Sequence, residues 1–505
     1  MADRGTLSEL LAAGAPVAAH RPWPRVRVAR PTWSAAADAL ADGMLALLGL
    51  FGEADAVHLV LLDEPAGTIG VLSLACPDRR FPSIARLHPA AGRLERAISD
   101  LFGLVAEDAP DPRRWLDHGV WGVRHPLGAG PGETAGREAY AFLPALGESL
   151  HQIPVGPVHA GIIEPGHFRF TASGETVVRL EQRLGYVHKG IEALMAGADL
   201  ERAARLAGRT SGDSTVAYAL AFARAVEAAL GIEPPPRAVW LRALMAELER
   251  IANHLGDVGA ICNDAAFALM HAHCAVLRER VLRAADVCFG HRLMMDCIRP
   301  GGVASDLGAD GAAAVRALLA EIRRRFPELV ELYDNTASLQ DRTVATGRVA
   351  PELVRSFAAG GYVGRAAGRA FDARRTPGYP PYDQLELEVP VLTDSDVNAR
   401  VWVRVREIQQ SLSLLAQILE RLPEGGIRTA VPAAGGEGMA LAEAFRGDVL
   451  VWLRLAADGR VLRCHLRDAS WFQWPLLEAA IEGNIVADFP LCNKSFNCSY
   501  SGHDI

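Results

Sequence analysis

Over residues 186–345 the apolar side chains recur at spacings of three and four, and few strand-like runs interrupt them. A chain patterned this way builds most of its core from packed helices. One unit shows the logic. Val216, Leu220, Ala223, Val226 and Leu230 mark one buried helical face, and Gly231 with Pro234-Pro-Pro236 closes the segment. Gly208-Arg-Thr-Ser-Gly-Asp-Ser214 leads into it, with Asp213 and Ser214 placed as N-caps. The turn delivers two serines and an aspartate to the positive end of a helix. That arrangement suits an anion or a polar site; the plainer reading is a well-capped core helix.

Around this helical block the sequence changes character. Residues 57–62 and 69–74 are apolar, strand-like runs joined by Asp63-Glu-Pro-Ala-Gly67, a hairpin signal, and residues 92–104 read as a charge-rich helix. Residues 128–138 hold four glycines and a proline, the composition of a linker. Phe168-Arg-Phe-Thr and Val177-Val-Arg-Leu180 flank Ser173-Gly-Glu as a second hairpin, and residues 449–455 and 461–466 form a third across Asp458-Gly459. Leu244, Leu248, Ile251 and Leu255 make one helical stripe, with Glu247, Arg250 and His254 on another face. Arg299-Pro-Gly-Gly-Val303 breaks the helices, and residues 401–422 form a further long one. The expected class is α+β: a small N-terminal α+β domain (1–130), a linker (131–152) and a large, mainly α-helical domain with short β-hairpins (153–505).

Composition narrows the function. A net charge of −8 with no long basic run argues against nucleic acid as a partner. No run of 18 apolar residues occurs, since Asp38 and Asp42 interrupt the most apolar N-terminal stretch, and no basic-then-apolar signal segment opens the chain. Membrane contact is therefore expected only through partner subunits. The eight cysteines form no Cys-x-x-Cys pair and read as reduced thiols; Cys274, Cys288 and Cys297 lie in helix-like sequence as small core residues. His271-Ala-His273-Cys274 is not expected to bind metal, because adjacent helical residues point apart. Gly425-Gly426 and Gly435-Gly-Glu-Gly438 read as turns without the strand-to-helix context of a nucleotide loop.

Several stretches carry a family resemblance. Glu95-Arg-Ala-Ile-Ser-Asp100-Leu-Phe-Gly103, with Trp115, Trp121 and His125-Pro-Leu127 downstream, resembles the C subunit of respiratory complex I. Gly156-Pro-x-His159, Gly185-Tyr-Val-His-Lys-Gly190, Glu247-Leu-x-Arg-Ile-x-Asn-His254, Arg299-x-Gly-Gly-Val303 and Asp396-Val-x-Ala-Arg400 resemble, in order, the D subunit and the large subunits of energy-converting nickel–iron hydrogenases. The C–D fusion order is that of formate hydrogenlyase large subunits and some complex I chains. Arg209-x-Ser211-Gly-x-Ser214 looks like the hydrogenase Arg-x-Cys-Gly-x-Cys motif with serine at both cysteines, and Tyr218 falls where those enzymes usually carry histidine.

The resemblance implies a site. Hydrogenases of this family hold nickel through four thiolates, two near Arg209 and two in a C-terminal Asp-Pro-Cys-x-x-Cys. Here the tail aligns Asn497 with the aspartate, Cys498 with the proline, and Ser499 and Gly502 with the cysteines. Serine is a hard, protonated, weak ligand and glycine offers none, so no metal ligand is assigned and nickel is not expected. Glu164-Pro-Gly-His167-Phe-Arg169 resembles the segment whose glutamate relays protons, and Glu443-Ala-Phe-Arg446-Gly447 the one whose arginine stands over the centre. Where complex I D subunits bind quinone through a histidine and a tyrosine, this chain has Pro165 and Gly212; His167, Tyr218 and Tyr500 are the candidate substitutes. The implied catalytic set is Glu164, His167 and Arg446, and the implied binding set Arg209, Ser211, Ser214, Tyr218, Ser499 and Tyr500. The expected partners are an iron–sulfur small subunit, docked over the Arg209–Ser214 and C-terminal faces, and antiporter-like membrane subunits, at the cytoplasmic face of the inner membrane. The expected function is electron transfer to a quinone-type acceptor. Two alternatives stand beside it: a non-catalytic coupling subunit of the same complex, and an active hydrogenase with an unusual ligand set.

Overall fold

The computed structural model describes residues 6–130, 134, 136, 139–159 and 163–505. Near the N-terminus, Arg25–Arg27 (β1), Ala46–Gly52 (β2), Ala56–Asp63 (β3) and Thr68–Ala75 (β4) join Ala15–Pro16 in a five-stranded sheet ordered Ala15–Pro16, β1, β4, β3, β2. The hairpin predicted across Asp63–Gly67 is present, with Asp63 opposite Thr68 and Ala56 opposite Ala75. Val57, Leu59, Val60, Leu61 and Leu62 of β3 are all buried, so both faces of the sheet are covered. Helix Gly92–Phe102 (α1) packs on β2, and Gly103 ends it in the left-handed region at φ 67°. The charges of α1 face inward. Glu95 accepts the N–H groups of Ile84 and Ala85, and Asp100 those of Trp115, Leu116 and Asp117.

The expected linker is less featureless than its composition suggests. Its residues 131–133, 135, 137 and 138 lie outside the described residues, but Tyr140 takes the Arg183 guanidinium over its ring at 4.3 Å. Strand Leu150–Val155 (β5) begins inside the range assigned to the linker. It pairs with His167–Ser173 (β6), which pairs in turn with Thr176–Arg183 (β7) through the predicted turn at Gly174.

The helical block follows: Thr215–Leu230 (α2), Pro236–Asp264 (α3), Ala268–Phe289 (α4), Ala309–Asn335 (α5) and Val397–Arg421 (α6). Helix α3 packs against α4 and α6, while α2 lies across two strands of a second sheet, Gly436–Ala444 (β8) and Gly447–Leu455 (β9), which continues into Val461–Arg467 (β10). Three expectations need correction here. Helix α2 is buried on nearly every side and not on one face, because it is sandwiched between helices and sheet. Gly436–Gly438 opens β8 and is not a turn: a Cβ on Gly438 would lie 2.0 Å from the Ala225 carbonyl, so the glycines let α2 close onto the strand. Cys297 is buried but lies between α4 and a short hairpin, not in a helix.

The two halves of the chain share one core. His20–Arg21 adds a parallel edge to β8, and a Cβ on Gly49 would come within 2.9 Å of Leu450. The chain ends in three helices: Ser470–Ile481 (α7), Phe489–Phe496 (α8) and Tyr500–Asp504 (α9). No helix of the described residues is long and apolar enough to cross a membrane.

Candidate functional site

The start of α2 is not capped from its own turn. Ser214 makes no capping bond; the Glu249 carboxyl from α3 accepts the N–H groups of Val216 (2.7 Å) and Ala217 (3.1 Å). Burial pushes Glu249 up to about 8, with the two N–H groups pulling back. Because α3 supplies the cap, Asp213 is free to turn to Arg446. The guanidinium grips both oxygens of Asp213, one at 2.8 Å, and reaches Ser214 Oγ at 3.3 Å. Burial works against ionised Asp213, but Arg446 and the Ser211 and Ser214 hydroxyls outweigh it and bring the carboxyl below its usual range.

The C-terminal tail closes onto the same turn. Ser211 Oγ donates to Asp213 at 2.7 Å and stands 3.0 Å from Ser499 Oγ. With the Ser211 proton spent on the carboxylate, Ser499 is the donor between them. Ser499 also caps α9 by accepting the Gly502 N–H at 2.9 Å. Beside Gly502 lies Asp468, which sequence reasoning missed. A Cβ on Gly502 would stand 2.7 Å from Asp468 Oδ2 and 2.9 Å from Ser499 Oγ. The Asp468 carboxylate thus fills the space a fourth ligand side chain would need. Buried Tyr218 donates to it at 2.7 Å, and the Ser470 N–H at 2.8 Å. Ser211, Ser214, Ser499, Asp213 and Arg446 therefore form one hydrogen-bonded cluster, and Ser470 joins it to the Tyr218–Asp468 pair by accepting the Ser499 N–H at 2.8 Å.

The quoted motifs hold this cluster in place. In Gly185-Tyr-Val-His-Lys-Gly190, the Gly185 and Val187 N–H groups donate to Asp504, and exposed Lys189 reaches the Arg209 and Thr210 carbonyls at 2.8 Å each. That stretch ties the tail to the Arg209 turn. Arg250 donates to the Glu443 and Ala444 carbonyls, which fixes the end of β8 ahead of the turn that carries Arg446. Asp396 caps α6, whose Arg400 and Arg404 bind Ser495 of α8. Asn497, in the left-handed region at φ 43°, donates to Asp257 and offers its carbonyl to Arg446. Behind these lies a buried chain of charges: Arg374 with Glu247, Arg365 with Glu443, Asp372 and Glu407, and Glu407 with His254 at 2.6 Å. Burial raises Glu443 to about 7, and it lowers His254 and keeps it neutral.

The remaining candidates lie around the cluster rather than in it. Exposed Glu164 accepts the Ser501 N–H at 3.0 Å, and Tyr500 packs against Gly166 and Trp474. His167 is apart: its Nδ1 meets the Gly156 carbonyl at 3.2 Å and its ring lies against Phe142, with no bond to the serines. Arg209 points outward in a bidentate pair with Asp296 at 2.8 Å.

Tested against nickel, the donor set does not fit. Three hydroxyls and a glycine stand at the positions that the resemblance assigns to ligands, and the Asp468 carboxylate lies where a side chain on Gly502 would extend. Among the described residues no group of three or more His, Cys, Asp or Glu could hold a metal ion. Cys498 is buried, and burial drives its thiol far above the range in which it would ionise.

Comparison with known proteins agrees with the motifs. Residues 264–434 match the family model described as respiratory-chain NADH dehydrogenase, 49 Kd subunit; residues 26–129 match that of the 30 Kd subunit, and residues 189–256 that of nickel-dependent hydrogenase. Formate hydrogenlyase subunit 5 of Escherichia coli is 32% identical over 438 residues, 84% of this chain and 77% of that protein. The fused C/D subunit of the NADH-quinone oxidoreductase of Bacteroides thetaiotaomicron is 26% identical over 446 residues, 83% and 84% of the two chains. A chain from the solved structure of the membrane-bound sulfane sulfur reductase, an archaeal respiratory membrane complex, superposes with a TM-score of 0.67 at 24% identity. It covers 72% of this chain and 100% of its own, and shares the fold. The chain belongs to the complex I C/D-type and hydrogenase large-subunit family.

Proposed function

We propose that this chain is the large hydrophilic subunit of a membrane-attached, complex I-like oxidoreductase, passing electrons from a partner iron–sulfur subunit to a quinone-type acceptor. The observation that carries the reading is the rebuilt ligand cluster: hydroxyls and Asp468 stand where a thiolate-held metal would sit, while Arg446 and its acidic partner remain. The names of the relatives, an NADH-quinone oxidoreductase and a formate hydrogenlyase, support the class of complex.

Reducing a quinone takes two electrons, which the partner's cluster supplies, and a proton at each of two carbonyl oxygens. Three groups of this chain suit the proton side. Tyr218 holds a proton against Asp468; Glu164 lies exposed beside Ser501; Lys189, exposed along its stem but with its ammonium partly desolvated against the Arg209 and Thr210 carbonyls and so easier to deprotonate, bridges the Arg209 turn. The iron–sulfur partner sits over the Arg209 turn and the tail, and antiporter-like subunits anchor the assembly at the cytoplasmic face of the membrane.

One observation favours a second reading, that of a coupling role without redox substrate. Tyr218, Ser211 and Ser499 already satisfy one another or Asp468, which leaves the cluster little to offer a substrate. Turnover of the purified complex with a soluble quinone separates the two. Glu164→Gln, His167→Ala and Tyr218→Phe are compared with the wild type at equal complex assembly. A fall in turnover with Glu164→Gln or Tyr218→Phe supports catalysis; unchanged turnover in all three transfers the assignment to coupling.

A further inference from the structure

Away from the cluster, a cavity of about 150 Å³ opens where the N-terminal sheet, α1, β10 and the last residue meet. Its wall is almost entirely apolar, with Phe51, Ile98, Phe102 and Trp471 among the lining residues. An apolar void of about this size stays dry and takes up benzene in a well-studied engineered lysozyme.

The polar exceptions are specific. His465 lines the cavity and is buried. Its ring stacks on Phe51 at 4.4 Å, and its Nδ1 is 2.8 Å from Glu192 Oε1, but its Nε2 has no partner. Burial alone would raise the Glu192 carboxyl, but Arg463 and His465 outweigh it and hold it at about 2, so it is ionised and accepts only. Nδ1 therefore carries the hydrogen. Burial lowers His465 and keeps the ring neutral, which leaves a bare lone pair on Nε2. The Arg463 Nε–H in the same wall is likewise unpartnered. A buried acceptor and a buried donor beside an apolar void fit the two roles of one hydroxyl. The rim is formed by the half-buried pair Trp121 and His188, whose rings lie 4.5 Å apart at a 31° tilt, and by exposed Ala193.

We infer that this cavity is a binding site for a small, neutral, ring-sized molecule carrying one hydroxyl group, held by apolar contact and by donation of its O–H to His465 Nε2. The site stands apart from the serine cluster and does not depend on the electron-transfer reading.

Calorimetric titration of the full-length protein with phenol, benzene and anisole tests it. Phenol binds saturably and about tenfold more tightly than benzene or anisole, the worth of one buried hydrogen bond to an otherwise unsatisfied acceptor. His465→Phe removes that preference while benzene still binds. Ala193→Trp, at an exposed rim position that folding tolerates, blocks all three. The inference is overturned if phenol shows no saturable binding, if it binds no better than anisole, or if Ala193→Trp leaves its affinity unchanged. Should His465→Phe fail to fold, the phenol-to-anisole ratio and Ala193→Trp still decide.

Discussion

Gly502→Ala tests the rebuilt ligand position through stability alone. Gly502 lies in α9 with helical backbone, so intrinsic preference favours alanine by about 1 kcal/mol. The surroundings oppose it. The new methyl would stand 2.7 Å from Asp468 Oδ2, 2.8 Å from its Cγ and 2.9 Å from Ser499 Oγ, closer than real Cβ contacts come. Overpacking of this kind costs about 1–3 kcal/mol. Moving Asp468 to relieve it weakens a charge-assisted bond from Tyr218, worth about 1.5–3 kcal/mol. The net expectation is a loss of about 1–3 kcal/mol, opposite in sign to the propensity effect. In an Asp468→Ala background the obstructing carboxylate is gone and only the Ser499 Oγ contact is left, so Gly502→Ala costs clearly less. Urea unfolding of the four proteins of this cycle, with m-values checked for constancy, gives the coupling energy, expected at about 2 kcal/mol. A stabilising Gly502→Ala in the wild type, or equal effects in both backgrounds, would refute the placement of Asp468 in that space.

Other outcomes follow from the same contacts. Glu249→Ala removes the cap of α2 and costs about 1–2 kcal/mol, whereas Ser214→Ala, which removes no cap, costs less; chemical denaturation ranks the two. Gly438→Ala drives a methyl into the Ala225 carbonyl and separates α2 from β8, so soluble expression and thermal midpoint both fall sharply. Glu192 titrates normally near 4.5 and is held at about 2 when folded, so its stabilisation is complete above 4.5 and is lost as pH falls toward 2. Between those limits the slope of stability with pH is shallower in Glu192→Gln. Glu249 runs the other way: its folded value of about 8 makes stability decline as pH rises from 4.5 to 8, and Glu249→Gln flattens that window.

The helical block, the hairpins and the glycine breaks were legible because each rests on local signals: period, turn residues and caps. What sequence could not supply is which neighbour satisfies a given polar group. Asp213 looked like a cap and is an ion-pair partner, because Glu249 on α3, 33 residues beyond Val216, takes the N–H groups instead. Gly436 and Gly438 looked like a turn and are strand residues whose lack of a side chain admits α2, a close approach that no single-sequence pattern encodes. Of the site, Ser211 and Ser499 lie 3.0 Å apart, while Asp468 was missed; nothing in its local sequence marks it, and only the folding of the tail brings it beside Gly502. The charge-rich pattern of α1 did not show that Glu95 and Asp100 are buried caps for backbone loops, since a carboxylate that meets several N–H groups can leave water.

The most direct test of the rebuilt site is elemental analysis of the purified complex for nickel, normalised to this chain. Hydroxyls, a glycine and a carboxylate in place of four thiolates predict nickel at background level, with quinone-linked turnover unaffected by nickel depletion during growth. Stoichiometric nickel that persists through purification and is lost on Ser211→Ala or Ser499→Ala would contradict it.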